Sequence, residues 1–87
     1  MVKVSIGVTI YNVEEYLREC LDSIMNQTFK DFEVIMVDDG STDNSFCICQ
    51  EYVAKDSRFK LIHQENKGLA GARNTCLKFM HGEFITW

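Results

Sequence analysis

Apolar residues occur along the chain in two alternating patterns, as short continuous runs and as longer stretches with helical spacing. The first run, Val2–Ile10, is rich in Val and Ile, which is typical of a strand buried on both faces of a sheet. Helical spacing follows through about Gln27, and Asn12 with Glu15 matches a capping box at its start. The chain is therefore predicted to open with a strand and a helix.

A second strand and helix are predicted in the next part of the chain. Glu33–Val37 is a short apolar run, and it is followed by a polar turn. Three residues in that turn are candidate N-caps for the second helix: Ser41, Thr42 and Asp43. The inward face of this helix is predicted to consist of Phe46, Cys49, Tyr52 and Val53.

The alternation continues to the end of the sequence. Phe59–His63 predicts a third strand, and the polar loop 65–68 separates it from a third helix. The apolar positions of that helix are Leu69, Ala72, Cys76 and Met80. Gly82 is predicted to end the helix in a left-handed conformation, and Glu83–Trp87 predicts a fourth strand.

Four strands alternating with three helices predict an α/β fold, with a mainly parallel, Rossmann-like sheet and helices on both faces. The chain stops inside an apolar strand, where natural domains rarely end. We therefore expect residues 1–87 to form an incomplete part of one domain, truncated after the fourth strand. Such a fragment is expected to self-associate through its unfinished sheet or through exposed apolar surface.

Composition and charge narrow the class of protein. Hydrophobic residues make up 46% and charged residues 25% of the chain, as in ordinary globular proteins. The net charge of −4 and the pI near 5.0 argue against a nucleic-acid partner, because phosphate neutralisation needs clustered Lys and Arg. No apolar stretch approaches the ~20 residues that span a bilayer, and the N-terminal pattern is that of a strand rather than a signal peptide.

The four cysteines do not have the spacing of a metal site. Cys47 and Cys49 lie two residues apart in a predicted helix, and this spacing turns them away from each other. All four are expected to be buried or partly buried free thiols, which matches a cytoplasmic location.

Residues with binding chemistry cluster in the turns after the first three strands. Ligands of open parallel sheets bind beyond the carboxyl ends of the strands, so these turns are expected to face one crevice. Tyr11 after the first strand offers a ring that can stack on a nucleobase. Asp39 after the second strand can accept a hydrogen bond from a pyrimidine N–H or a ribose hydroxyl.

The third turn is suited to a diphosphate. Arg73, expected in the first turn of the third helix, adds a positive fork near the helix N-terminal amides, which favour anions. Gly68 and Gly71 leave the approach to these amides free of side chains. Together the three turns predict a pocket for a nucleoside diphosphate.

Three motifs in order cover essentially the whole chain: Tyr11-Asn12, then Val-Asp-Asp-Gly-Ser-Thr-Asp at 37–43, then Asn-Lys-Gly at 66–68 leading to Ala-Arg-Asn at 72–74. This arrangement resembles glycosyltransferase family 2, which has the GT-A fold. The resemblance implies an inverting enzyme that transfers a sugar from a nucleotide-sugar donor, with UDP as the expected nucleotide, to a hydroxyl of a glycan or lipid-linked acceptor.

The same resemblance implies roles for individual residues. The nucleotide contacts fall on Thr9, Tyr11, Asp39 and Arg73, while Asp38 supports the turn or the ribose. Thr9 stands where the family commonly has proline. A divalent metal, Mg²⁺ or Mn²⁺, is implied for the intact enzyme, but its Asp-x-Asp motif is expected beyond Trp87, as is the catalytic base. No residue of this chain is therefore assigned as catalytic or as a metal ligand.

Plainer interpretations stay open at this point. The acidic turn is also compatible with helix capping alone, with a metal site or with a phosphoacceptor pocket. The alternative role for Tyr11 is packing, and the alternative role for Arg73 is a surface ion pair. The alternative class for the whole chain is a non-catalytic Rossmann-like binding or assembly module. Cytoplasm is the expected location, with peripheral membrane attachment as a variant if the acceptor is lipid-linked.

Overall fold

The computed structural model describes residues 3–87, and it contains the predicted four strands and three helices. In chain order they are β1 (Val4–Ile10), α1 (Glu14–Met25), β2 (Phe32–Asp39), α2 (Ser45–Lys55), β3 (Phe59–Gln64), α3 (Gly68–Phe79) and β4 (Phe84–Thr86). The predicted first strand included Val2, which lies outside the described residues. The first helix ends at Met25, two residues before the predicted limit.

All four strands are parallel and lie in the order β3-β2-β1-β4. The predicted α/β class is thus confirmed. The inner strand β2 is buried along its whole length, as expected for an apolar strand with neighbours on both sides and helices on both faces. The chain moves outward from β1 to β3 and then returns to the other side of β1. The carboxyl end of β1 is therefore the point where the strand order reverses, which is where open α/β sheets bind ligands.

Two apolar cores hold the helices on opposite faces of the sheet. On one face, α1 and α2 contribute Leu17, Leu21 and Tyr52, which pack with Val34 and Met36 of β2. On the other face, α3 places Ala72 and Cys76 against Ile35 and Val37. Because consecutive side chains of a strand point to opposite faces, β2 supplies both cores from alternate positions.

The structure corrects two predicted helix faces. In α2, Val53 is exposed and Phe46 only half-buried, while Ser45 and Ile48 are buried with Cys49 and Tyr52. In α3, Leu69 is exposed. Apolar residues lie on more than one side of each helix, so their spacing alone does not identify the side that meets the sheet.

The thiols are free as predicted, and two of them are deeply buried. Cys49 and Cys76 lie in the two cores, and burial raises the pKa of Cys49 to about 12 and that of Cys76 to about 11. Cys20 and Cys47 are exposed, contrary to the prediction. Among residues 3–87, no helix combines the length and apolar character needed to cross a membrane.

A buried carboxylate holds the connection between α3 and β4. Glu33 of β2 is 2% exposed and accepts hydrogen bonds from the Ser5 hydroxyl (2.6 Å) and from the His81 backbone N–H. The Ser5 hydroxyl oxygen in turn accepts a bond from Gly82 N–H at 2.7 Å. Gly82 does not have the predicted left-handed backbone, and α3 ends instead at an extended Met80. A Cβ at position 82 would lie 2.6 Å from the Ser5 nitrogen, so close approach explains this glycine.

Replacing Glu33 with glutamine is expected to lower the free energy of unfolding by about 1–2 kcal/mol at pH 7, because hydrogen bonds to the charged form are lost. Burial by itself raises the pKa of Glu33, but the bonds from Ser5 and His81 outweigh it, and the pKa falls below the usual 4.5. A lowered pKa stabilises the fold above about pH 4.5, and that stabilisation is lost as the pH falls further. Urea unfolding between pH 7 and pH 3 should therefore show the difference between wild type and variant shrinking on acidification; a constant difference would contradict this account.

Candidate functional site

The loops after β1 and β2 are connected by hydrogen bonds in both directions. Asn12 has a left-handed backbone (φ 51°), and its side-chain oxygen accepts hydrogen bonds from the backbone N–H groups of Thr42 (2.7 Å) and Asp43 (3.3 Å). In return, the Asp43 carboxylate accepts from Glu14 N–H at 3.2 Å, at the start of α1. The Ser45 hydroxyl accepts from Val13 N–H at 3.1 Å.

This arrangement corrects both predicted helix caps. Asn12 and Glu15 do not form a capping box, since Val13 is the N-cap of α1 and makes no side-chain cap bond. The N-cap of α2 is Asn44 rather than an earlier residue of the turn. The Asp43 carboxylate instead contacts both helix starts, and hydrogen bonds from Ser45 and Glu14 lower its pKa. The backbone that follows Tyr11 is thereby joined to the loop after β2.

The two adjacent aspartates at the end of β2 point to opposite faces of the sheet. Asp38 is completely buried on the α2 side, where one oxygen accepts from Ser41 N–H (3.3 Å) and the other lies 2.8 Å from His63 Nδ1. Both oxygens are therefore used inside the fold. Of the two roles expected for Asp38, this geometry favours support of the turn.

Asp39 points to the α3 side and fastens the loop before that helix. It is 4% exposed. Its Oδ1 accepts from Gln64 Nε2 (2.9 Å) and from Lys67 N–H (2.8 Å), and its Oδ2 accepts from Gly68 N–H (3.0 Å). Burial alone raises the pKa of Asp39, but these three hydrogen bonds and the charge of Lys67 lower it below the usual range. The carboxylate is therefore ionised at neutral pH.

Tyr11 and Asp39 line one cavity at the carboxyl end of β1. The cavity has a volume of about 220 Å³, and its lining residues are Thr9, Ile10, Tyr11, Asp39, Asn66, Gly68, Leu69 and Ala72. Tyr11 is 49% exposed, so its ring is accessible to a ligand. Gly68 starts α3 with φ 79°, a backbone conformation that residues with a side chain rarely adopt. The structure thus brings together Thr9, Tyr11, Asp39 and Gly68.

Arg73 lies beside a second, larger cavity. That cavity, of about 640 Å³, is lined by Arg73, Thr9 and Trp87 among others, so Thr9 contacts both spaces. The Arg73 guanidinium lies 5.2 Å from the centre of the Trp87 ring. Because α3 begins at Gly68, Arg73 is in its second turn and not, as predicted, in its first. The guanidinium therefore does not stand next to the helix N-terminal amides, although its predicted contact with the nucleotide stays a prediction.

The described residues do not form a metal site by themselves. No group of three or more His, Cys, Asp or Glu side chains in the range 3–87 is arranged to hold a metal ion. The divalent metal that the resemblance implies would need ligands beyond these residues.

Several residues of the site were not found from the sequence. Gln64 and Thr75 form a chain of hydrogen bonds to Asp39, and neither had a distinctive signal in the sequence. Asn12 was singled out from the sequence, but as a helix cap rather than as the residue that connects two loops. A charged Glu33 inside an apolar strand was the one visible sign of the buried cluster at the opposite end of the sheet.

Solved structures with this architecture define the class of fold. The chain is similar to the mannosyltransferase PcManGT from Pyrobaculum calidifontis in complex with GDP-Man and Mn²⁺, with a TM-score of 0.88, 30% identity, and coverage of 95% of this chain and 26% of that one. It is also similar to S. aureus TarS 1–349 in complex with UDP, with a TM-score of 0.86, 37% identity and coverage of 98% and 27%. The fold is that of the GT-A glycosyltransferases.

The family follows from the sequence comparison. The model of "Glycosyl transferase family 2" matches residues 5–87, and the chain therefore belongs to this family. A curated relative, "Glycosyltransferase GlyA" of Streptococcus pneumoniae serotype 4, is 52% identical over 85 residues, which is 98% of this chain and 12% of the relative. The chain thus spans about an eighth of the length of this relative and about a quarter of the two solved structures.

Proposed function

We propose that the protein is an inverting glycosyltransferase that transfers a sugar from a UDP-linked donor to a hydroxyl group of a glycan or lipid-linked acceptor. Residues 3–87 supply the recognition of the donor nucleotide. The observation that supports this most directly is the single cavity that joins an accessible aromatic ring, Tyr11, with an ionised and buried carboxylate, Asp39. A stacking platform beside a directional acceptor is suited to a nucleobase.

The hydrogen bonds of Asp39 favour uracil over other bases. An ionised carboxylate has about four acceptor positions. Both positions of Oδ1 and one of Oδ2 are taken by N–H groups of the protein, which leaves one position free. Uracil presents one N–H between two carbonyls, whereas the corresponding edge of guanine presents two adjacent donors. Cytosine would place a ring acceptor against the carboxylate.

The described residues bind and orient the donor rather than change its bonds. In the proposed reaction the acceptor oxygen attacks the anomeric carbon as the bond to the diphosphate breaks on the opposite face. Arg73 and the amides at the start of α3 are the groups here that favour an anion. The metal, when bound, would stabilise the leaving diphosphate. The catalytic base and the acceptor surface are expected in other parts of the protein.

Calorimetric titration of the full-length protein with UDP, GDP and CDP tests the proposal. We expect UDP to bind at least about tenfold more tightly than GDP or CDP, which corresponds to about 1.4 kcal/mol. Tighter binding of GDP would refute the assignment of the base. Absence of binding to all three nucleotides would refute donor recognition and leave the non-catalytic module as the better description.

A further inference from the structure

Two residues that do not line the cavity are connected to the carboxylate that does. Gln64, the last residue of β3, donates from Nε2 to Asp39 Oδ1 at 2.9 Å. Thr75 of α3 donates its hydroxyl to Gln64 Oε1 at 2.7 Å. Neither Gln64 nor Thr75 is among the lining residues. An effect of either residue on a bound base would therefore have to pass through Asp39.

The direction of these hydrogen bonds is set by chemistry. An ionised carboxylate only accepts, so the amide nitrogen of Gln64 must face Asp39. The amide oxygen then faces Thr75, whose hydroxyl must donate its single hydrogen to it. The alternative acceptor for that hydrogen is the carbonyl oxygen of Gly71, which is farther away at 3.1 Å. The ionised Asp39 thus sets the orientation of the Gln64 amide, and the shorter bond from the Thr75 hydroxyl stabilises it.

Gln64 is the one donor to Asp39 among these three that lies on a neighbouring strand. It pairs directly with Asp39 across the parallel strands, whereas the other two donors, Lys67 and Gly68, lie at the junction of a loop and a helix. A donor carried by a neighbouring strand restricts rotation of the carboxylate about its Cβ–Cγ bond. It also occupies one acceptor position that a ligand would otherwise use.

We infer that Gln64, held in place by a hydrogen bond from Thr75, is a positioning residue that sets the Asp39 carboxylate for a base edge with a single N–H donor. This inference rests on the proposed recognition of a nucleoside diphosphate. Loss of Gln64 frees one acceptor position and lets the carboxylate rotate. The pocket then binds uracil less tightly and accepts the two-donor edge of guanine more readily.

The test compares a nucleotide with the same sugar phosphate lacking a base. The full-length protein and its variants are titrated with UMP, GMP and ribose 5-phosphate. Gln64→Met keeps the length of the side chain without its hydrogen bonds, and it should weaken UMP binding about three- to tenfold. The preference for UMP over GMP should narrow, while the affinity for ribose 5-phosphate stays unchanged.

Thr75 provides a matched pair of variants. Thr75→Val replaces the hydroxyl with a methyl group and should change binding in the same direction as Gln64→Met, whereas Thr75→Ser, which keeps a hydroxyl, should behave like wild type. Circular dichroism and thermal unfolding show which variants fold. If Gln64→Met does not fold, the Val and Ser pair decides the question by the same readouts.

Three results would overturn the inference, and one of them concerns the proposed function first. First, Gln64→Met and Thr75→Val could keep the UMP affinity and base preference of wild type while Asp39→Ala still loses binding. This result would contradict the positioning role alone. An equal loss of affinity for UMP and ribose 5-phosphate would show a general structural effect instead. If the wild-type protein binds neither UDP nor UMP, the proposed function fails, and the inference fails with it.

Discussion

Asp39→Ala should weaken UDP binding by about 100-fold, or about 2.7 kcal/mol, and should lower the free energy of unfolding by about 2–3 kcal/mol. The first effect combines loss of the acceptor for the base with release of the loop before α3. The second arises because the N–H groups of Gln64 and Lys67 lose their acceptor, and Gly68 N–H loses one of its two acceptors. Calorimetric titration with UDP and urea unfolding measure the two effects separately.

Two further variants test whether the loss of UDP binding is due to the charge of Asp39, to the size of its side chain or to removal of any aspartate. Asp39→Asn keeps the size of the side chain but replaces one acceptor oxygen by a donor, and we expect it to bind UDP nearly as poorly as the alanine variant. Asp31→Ala removes an exposed aspartate just before β2, outside the cavity, and should leave both measurements within error of wild type. UDP affinity within about twofold of wild type in Asp39→Ala would remove the central residue of the proposed site.

Tyr11→Ala should reduce UDP affinity by about 1–3 kcal/mol, the usual contribution of a base stacked on an aromatic ring. Its effect on stability should be small, because the ring is 49% exposed. The expected pattern is therefore a large change in binding with a nearly unchanged unfolding curve. Titration calorimetry with UDP and with ribose 5-phosphate measures it, since only the nucleotide has a base to lose.

Tyr11→Phe is the matched control for the ring. It keeps the stacking face and removes only the hydroxyl, so UDP should bind about as tightly as to wild type. Equal weakening in the Phe and Ala variants would mean that the hydroxyl, rather than stacking, provides the contact. Wild-type affinity in both would place Tyr11 outside the nucleotide site and restore its packing interpretation.

The fold class and the family were accessible from the sequence because both depend on local signals. Each strand and helix has its own apolar pattern, and alternation of the two implies a parallel sheet whatever the details of packing. The three motifs lie in the turns that such a sheet places at one edge, and the family comparison confirms the resemblance they suggested. The two solved structures compared above share this fold.

Several predictions that were wrong concern residues whose contact partners are distant in sequence. Asn12 matched a local capping box, yet its side chain binds the loop after β2, because the tight turn at the end of β1 brings the two loops together. Gly82 was predicted to end α3 in a left-handed conformation. The residue is instead a glycine because Ser5 lies too close to leave room for a side chain. The position of Arg73 relative to the helix start followed from a boundary that spacing alone locates only to within a few residues.

By itself the sequence determined the order of the elements, the parallel α/β fold and the family, since apolar periodicity and turn chemistry are properties of neighbouring residues. Only the tertiary structure decided how the residues of the site are connected. It put Asp38 and Asp39 to different uses on opposite faces of the sheet and placed Gln64 and Thr75 behind Asp39. The physical reason is that hydrogen-bond partners across strands and loops depend on register and distance, which exist only once the chain has folded.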